Sequence, residues 1–296
     1  MTQAGNAYVA NAGTNTVSVI DGNTQQVINT IAVGTLPVGV AANANTGYVY
    51  VVNRSDNTVS VINAATGAVV ATIPVGTGPR SVTVNPLSNK IYVANRDGNS
   101  VSVIDGNTNT VLATIPTTGA PYNVSVDTVK NLLYVPIAGT NSVNVYDGNT
   151  NALVSTIPVG TDPRDSSTNS ATGLTYVPNY GSGNVSVIDD ATGTVVSTIP
   201  VGNAPAAVQV NPKTNLIYVA NRSDNTVSVI NANTNAVLAT IPVGTNPQGV
   251  GIDSVKNLIY ITNADGTVSI INGATNSVVG TVPVQDNPQG VDVLPA

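Results

Sequence analysis

Residues 50–76 read YVVNRSDNTVSVINAATGAVVATIPVG and residues 218–244 read YVANRSDNTVSVINANTNAVLATIPVG, an agreement at 23 of 27 positions. Working outward from this pair, Tyr8, Tyr50, Tyr92, Tyr134, Tyr176, Tyr218 and Tyr260 follow one another at a constant 42 residues. Self-similarity at a fixed period defines a repeat architecture before any single element is assigned. Within each unit, short alternating runs of Val, Ile and Thr are separated by Asn, Gly, Asp and Pro. No stretch carries a helical period, so a unit reads as strands joined by tight turns. The third unit is expected to hold four of them: A over 81–85, B over 91–95, C over 100–105 and D over 111–117. Asn85-Pro86 and Asn211-Pro212 mark the A-to-B turns, and Asp105-Gly106-Asn107 and Asp147-Gly148-Asn149 the C-to-D turns.

Four strands every 42 residues describe one propeller blade. The chain does not begin where a blade begins: residues 1–36 supply strands B, C and D, and the missing A strand returns at 288–295, which aligns with 79–86. The fold expected is therefore all-β, a seven-bladed β-propeller of four-stranded antiparallel blades forming a single domain over 1–296. Its ring is closed by the C-terminal strand pairing into the N-terminal blade, which leaves no open sheet edge between the first and last blades. The last unit is one residue short between Asn263 and Thr267.

Tyr8-Val9-Ala10-Asn11, followed by Asn15-Thr16-Val17-Ser18-Val19-Ile20-Asp21 and, in later units, Thr72-Ile73-Pro74-Val75-Gly76, resembles the YVTN-type β-propeller repeat. The resemblance covers the whole chain and implies a location outside the cell or at its surface, as in surface-layer and other secreted proteins. The motif residues themselves read as structural: Tyr and Val as blade packing, and the Asn ending strand B as a turn residue. The fourth unit departs from the pattern, with Pro136-Ile137 in place of Ala-Asn.

Composition narrows the function. His, Cys, Trp, Phe and Glu are absent, all 15 acidic residues are Asp, and only 8% of the 296 residues are charged. Without His or Cys there is no imidazole base, thiolate nucleophile or zinc-thiolate site. No catalytic residue, metal or cofactor is expected. A formal charge of −6 argues against a nucleic-acid partner, and no apolar run is long enough to span a bilayer. The opening seven residues lack the basic and apolar regions of a secretory signal, so the chain reads as cytosolic or as a mature domain without its leader. Asp-rich turns such as 105–109 lack the further acidic ligands of a calcium loop. Sequons fall at Asn53, Asn123, Asn184 and Asn221.

Propeller geometry puts the A-to-B and C-to-D turns on one face and the B-to-C and D-to-A loops on the other. This sorts the basic residues by type. Lys90, Lys130, Lys213 and Lys256 fall in A-to-B turns, whereas Arg54, Arg96 and Arg222 fall in B-to-C loops and Arg80 and Arg164 in D-to-A loops. Arg suits carboxylates, phosphates and planar groups, so the Arg face is the candidate binding face for a protein, peptide or glycan. The residue after each D-to-A proline should ring the channel: Val38, Arg80, Tyr122, Arg164, Ala206, Gln248 and Gln289. In the fifth unit Ser166 and Thr168 stand where the third has Val82 and Val84, close to Asp162, Arg164, Asp165 and Tyr180. A polar pocket, an internally satisfied hydrogen-bond cluster or channel waters would follow. The leading expectation is a monomeric, non-enzymatic binding or cell-surface propeller. An engineered or consensus-like repeat protein without an evolved ligand is the second reading, and a lyase- or lactonase-type propeller enzyme the third.

Overall fold

The computed structural model describes residues 5–294. These form seven four-stranded antiparallel sheets. In six of them the four strands are consecutive in sequence. The seventh pairs Pro288–Leu294 with Asn6–Asn11, which continues to Thr16–Asp21 and Val27–Ala32. Asn6 faces Leu294 and Tyr8 faces Asp292 across that joint. Blade one thus combines the two ends of the chain, and blades two to seven follow in order.

In blade three the strands are Pro79–Asn85, Lys90–Asn95, Ser100–Asp105 and Thr110–Pro116, in the order A, B, C, D. Strands B and C carry the core. Tyr8, Tyr50, Tyr92, Tyr176, Tyr218 and Tyr260 are fully buried, and Tyr134 nearly so. Each lies in an apolar cluster, as Tyr50 does with Val59, Val61 and Ile91 of the next blade. Burial of such side chains is the main stabilising term of a fold without cysteine. Strand D faces water: Ile28, Val70, Leu112, Val154, Val196, Leu238 and Val279 are exposed around the rim.

The glycine of the Asp-Gly turn serves close approach and does not supply the left-handed residue. In the C-to-D turn of blade three the positive φ belongs to Asn109 (φ 57°), while Gly106 donates its N–H to the Asn89 carbonyl at 2.8 Å. A Cβ at Gly106 would stand 2.5 Å from Asn89 Oδ1. The Asp side chain accepts backbone N–H groups, Asp105 Oδ1 from Asn107 at 2.8 Å.

The Asn that ends strand B does more than turn the chain. Asn95 is fully buried, and its Nδ2 donates to Ser100 Oγ at 3.1 Å and Ser102 Oγ at 2.9 Å. Asn11, Asn53, Asn179, Asn221 and Asn263 make the same clamp across strand C. The turn role holds, since the Asn11, Asn179, Asn221 and Asn263 carbonyls accept the turn N–H groups, and the same column also fastens B to C. In blade three the preceding D-to-A loop makes room with glycine, since a Cβ at Gly76 would lie 2.5 Å from Asn95 Nδ2, whereas blade one keeps the Asn11 clamp with Gln285 at that position. Blade four solves the same problem differently. Ile137 removes the amide, Thr118 replaces the loop glycine, and Asn144 replaces the strand-C serine and donates to Thr118 Oγ1 (3.0 Å) and Tyr146 Oη (3.1 Å).

The A strands of blades four and five are shorter than the repeat implies. They span only Ser125–Asp127 and Ser167–Asn169, with isolated bridges Pro121 to Ile137 and Pro163 to Asn179. The cause lies in strand B, where Pro136 and Pro178 occupy the position of Ala94. Ala94 pairs with Ser81 in blade three. Proline has no N–H for that rung. Tyr122 and Arg164 instead donate their own N–H groups to the carbonyls of Pro136 (3.1 Å) and Pro178 (3.3 Å).

Candidate functional site at the channel mouth

Loop-to-loop hydrogen bonds place the B-to-C and D-to-A connections together. Gly98 N–H meets the Thr77 carbonyl at 2.9 Å, and Gly181 N–H meets Thr161 at 2.9 Å. On the opposite face Lys90 Nζ donates to the Gly148 carbonyl at 3.0 Å. Arg and Lys are separated as their loops dictate.

The A strands enclose a central cavity of about 420 Å³. All seven residues of the expected ring, Val38, Arg80, Tyr122, Arg164, Ala206, Gln248 and Gln289, line it. At its mouth three guanidiniums gather on one aromatic ring: the Cζ atoms of Arg80, Arg96 and Arg164 lie 4.7, 4.9 and 5.2 Å from the Tyr122 centroid. Arg164 also stacks on Tyr180 at 3.4 Å. Cation–π attraction offsets part of the repulsion among the three charges.

The guanidiniums differ in what else holds them. Arg164 Nε and Nη2 both donate to Asp162 Oδ2, at 3.0 and 2.7 Å. Burial is the largest single influence and disfavours its charge, but the hydrogen bonds to Asp162 together with the charges of Tyr122, Asp162 and Tyr180 leave it above its ordinary value. Arg54 pairs with Asp97 at 3.4 Å. Arg96 reaches Asp97 only at 3.9 Å, and its buried Nε has no partner. Arg80 has neither an ion pair nor a hydrogen bond to its guanidinium among the described residues. Burial pushes it down from its ordinary value. Tyr122 opposes that shift, while Arg54, Arg96 and Arg164 add to it. Below the mouth, Asp165 accepts N–H groups from Ser166 (2.9 Å) and Val208 (2.8 Å). Burial still raises its carboxyl to about 7, against those bonds and the charge of Arg80.

Arg54, Arg80, Arg96, Tyr122, Asp162, Arg164, Asp165 and Tyr180 therefore form one constellation on blades two to five. Arg222 stands outside it. Its Nε donates to Asn246 at 2.7 Å, on blades six and seven.

In the fifth blade the hydroxyls are internally bonded. Ser166 Oγ donates to Asn123 Oδ1 (3.3 Å) and meets Ser125 Oγ (2.8 Å), which meets Thr168 Oγ1 (3.3 Å). Thr168 meets Thr175 (2.9 Å), which reaches Asp190 Oδ1 (3.3 Å). Thr175 donates to Asp190 at the end of this chain, so the Asp190 carboxylate is its terminal acceptor. Burial raises the Asp190 carboxyl to about 7; Tyr134 and Lys130 oppose this and Asp127 reinforces it. Sequence reasoning found Ser166 and Thr168 but missed their terminus. The available signal was Asp190 itself, an acid in the column occupied by Gly106 and Gly148.

Residues 34–176 match the YNCE-like beta-propeller family. The chain is itself a seven-bladed β-propeller, and the match covers just under half of it. No curated protein matches this propeller. Among solved structures, it is similar to hydrazine synthase of Kuenenia stuttgartiensis, with TM-score 0.80, 21% identity, and coverage of 88% of this chain and 90% of that one. It is also similar to a functionally unknown protein from Desulfotomaculum acetoxidans, with TM-score 0.88, 15% identity and 99% of both chains covered. At these identities the likeness shows the fold alone. Among the described residues no helix is long and apolar enough to cross a membrane, and no group of three or more acidic side chains is placed to hold a metal ion.

Proposed function

We propose that this propeller is a non-enzymatic binding module, at the cell surface or outside the cell, that takes anionic partners on its Arg face. The observation that carries this reading is the convergence of Arg80, Arg96 and Arg164 on Tyr122. Gathering like charges costs energy, and a protein of net charge −6 does so at one channel mouth. The absence of His, Cys and Glu from the chain supports binding over catalysis. Closure of the ring supports action as a monomer. The surface location is supported by the YVTN-type repeat.

The test is a binding screen of the purified protein against acidic glycans and acidic peptides. Saturable binding should weaken at least about tenfold in Arg164→Ala, the loss of one charge-assisted contact, and also in Tyr180→Ala, which removes the ring under that guanidinium. Binding that survives both changes would place the interaction elsewhere. An empty screen would favour a repeat scaffold without a ligand.

A further inference from the structure

Of the five guanidiniums, three already have an oxygen acceptor at hydrogen-bonding range: Arg54 on Asp97, Arg164 on Asp162 and Arg222 on Asn246. Arg80 has none among the described residues, and it alone combines that lack with a place in the cavity wall. Its guanidinium is half-buried and keeps open donors toward the cavity, so an incoming anion can complete it with charge-assisted hydrogen bonds. The group that completes it must be small, because Arg80 sits between Tyr122 and the cavity. It must also be flat or forked to use the guanidinium fork.

The rest of the cavity says what such an anion is attached to. Ligand pockets for apolar molecules are lined mainly by hydrophobic and aromatic side chains. Here the wall beyond Arg80 carries amides and hydroxyls, among them Asn123, Ser167, Gln209, Gln248 and Gln289. Gln209 Oε1 already accepts from Ser167 (3.2 Å), and Gln289 Nε2 donates to Asn287 (2.8 Å), which fixes the orientation of both amides. Gln248 makes no such side-chain bond among the described residues. A volume of about 420 Å³ falls within the range of small-molecule sites, roughly 300–1,000 Å³. Walls of this chemistry suit a polyhydroxylated body.

Resting on the proposed anion-binding function, we infer that the channel mouth binds an acidic sugar, with the carboxylate on Arg80 and the hydroxyls directed to the amides of the channel wall. Arg164, held by Asp162 and stacked on Tyr180, borders the same seat and keeps one Nη free of Asp162. The carboxylate is shared by a free sugar acid and by the acidic residue of a polysaccharide, so both belong in the test.

Isothermal titration of the intact protein would compare D-glucuronate, an oligogalacturonate, D-glucose, inorganic phosphate and an acidic hexapeptide. Saturable binding of glucuronate or of the oligogalacturonate is expected, at least tenfold tighter than glucose and phosphate. Binding by glucuronate identifies a free sugar acid, and binding by the oligomer alone identifies the polysaccharide. Arg80→Gln should weaken either at least tenfold at unchanged melting temperature, while Arg222→Gln leaves it unchanged. Equal binding of glucose, equal binding of phosphate, or indifference to Arg80→Gln would overturn the inference. Binding of the hexapeptide alone, lost in Arg164→Ala, would overturn it while leaving the anion-binding function intact. No binding to any probe would count against both.

Discussion

Blade three and the pair formed by blades four and five are built from the same 42-residue unit, yet they do different work. Blade three keeps every frame residue: the Asn95 clamp, the loop glycine Gly76 and an A strand of seven residues from Pro79 to Asn85. Blades four and five each place a proline, Pro136 or Pro178, opposite the start of strand A, which shrinks to three residues. In return they place Tyr122 and Arg164 at the channel mouth, and Asp165 just below it, in short segments released from the ladder. Regular blades hold the ring, and the interrupted ones carry most of the candidate site. Stability and site chemistry should therefore respond to different substitutions.

The largest effect should come from the frame itself. Deleting residues 288–296 removes strand A of blade one, and with it the burial of Val291, Val293 and Leu294. At about 1.5–3 kcal/mol per side chain, the loss is about 5 kcal/mol or more before the broken ladder is counted. A fall in melting temperature of at least about 10 °C, or failure to fold, is expected. Calorimetry or circular dichroism would read it, and an unchanged transition would refute the closure model.

A smaller and sharper test exchanges one position between the two solutions. Gly76→Thr in blade three drives a Cβ toward Asn95 Nδ2 and should cost about 2–4 kcal/mol, in the range of overpacking plus a lost buried hydrogen bond. The equivalent residue in blade four, Thr118, is already threonine and bonds Asn144. Adding Asn95→Ile to Gly76→Thr should recover at least about 1 kcal/mol, because the pair then follows Thr118 and Ile137. Strict additivity in denaturant unfolding would mean that the two columns are not coupled.

The period of 42 made the blades, the ring closure, the two faces and the ring of channel residues legible, because each depends only on a position within the unit. Two things were not. The first is azimuth. Arg222 occupies the same column as Arg54 and Arg96, but blade six lies elsewhere around the ring, and a shared column gives a shared height without proximity. The second is side-chain exchange between columns. That Asn95 clamps Ser102, or that Asp190 fills space beside Gly173, depends on which side chains meet across a blade and between blades. Pro178 was visible as a residue, but its effect on strand A emerges only when the register of A against B is known.

The smallest expected effect concerns protons, and it also separates the two regions. Asp165 and Asp190, both in blade five, are raised by burial to about 7, and Asp292 in blade one to about 6. An unfolded Asp titrates near 3.9. Between about pH 4 and 7 the folded chain binds more protons at these sites than the unfolded chain, so stability falls as pH rises. Their contribution is full below about pH 4 and is lost as pH passes through 6 to 7. The turn carboxylates Asp21, Asp105 and Asp147 act in the opposite sense. Backbone N–H groups hold them below the ordinary value, so their contribution is lost as pH falls below about 4. Maximum stability is therefore expected near pH 4–5, with a gentle decline toward pH 8. Asp190→Asn replaces the raised acid facing Asp127, Lys130, Tyr134 and Thr175 by an amide that does not titrate and can still accept from Thr175, and it should flatten that decline. Asp105→Asn, in an exposed turn of blade three, should leave the slope above pH 5 untouched. Melting curves between pH 4 and 8 would check both. An Asp190→Asn profile parallel to the parent would show that the buried acid does not titrate in this window.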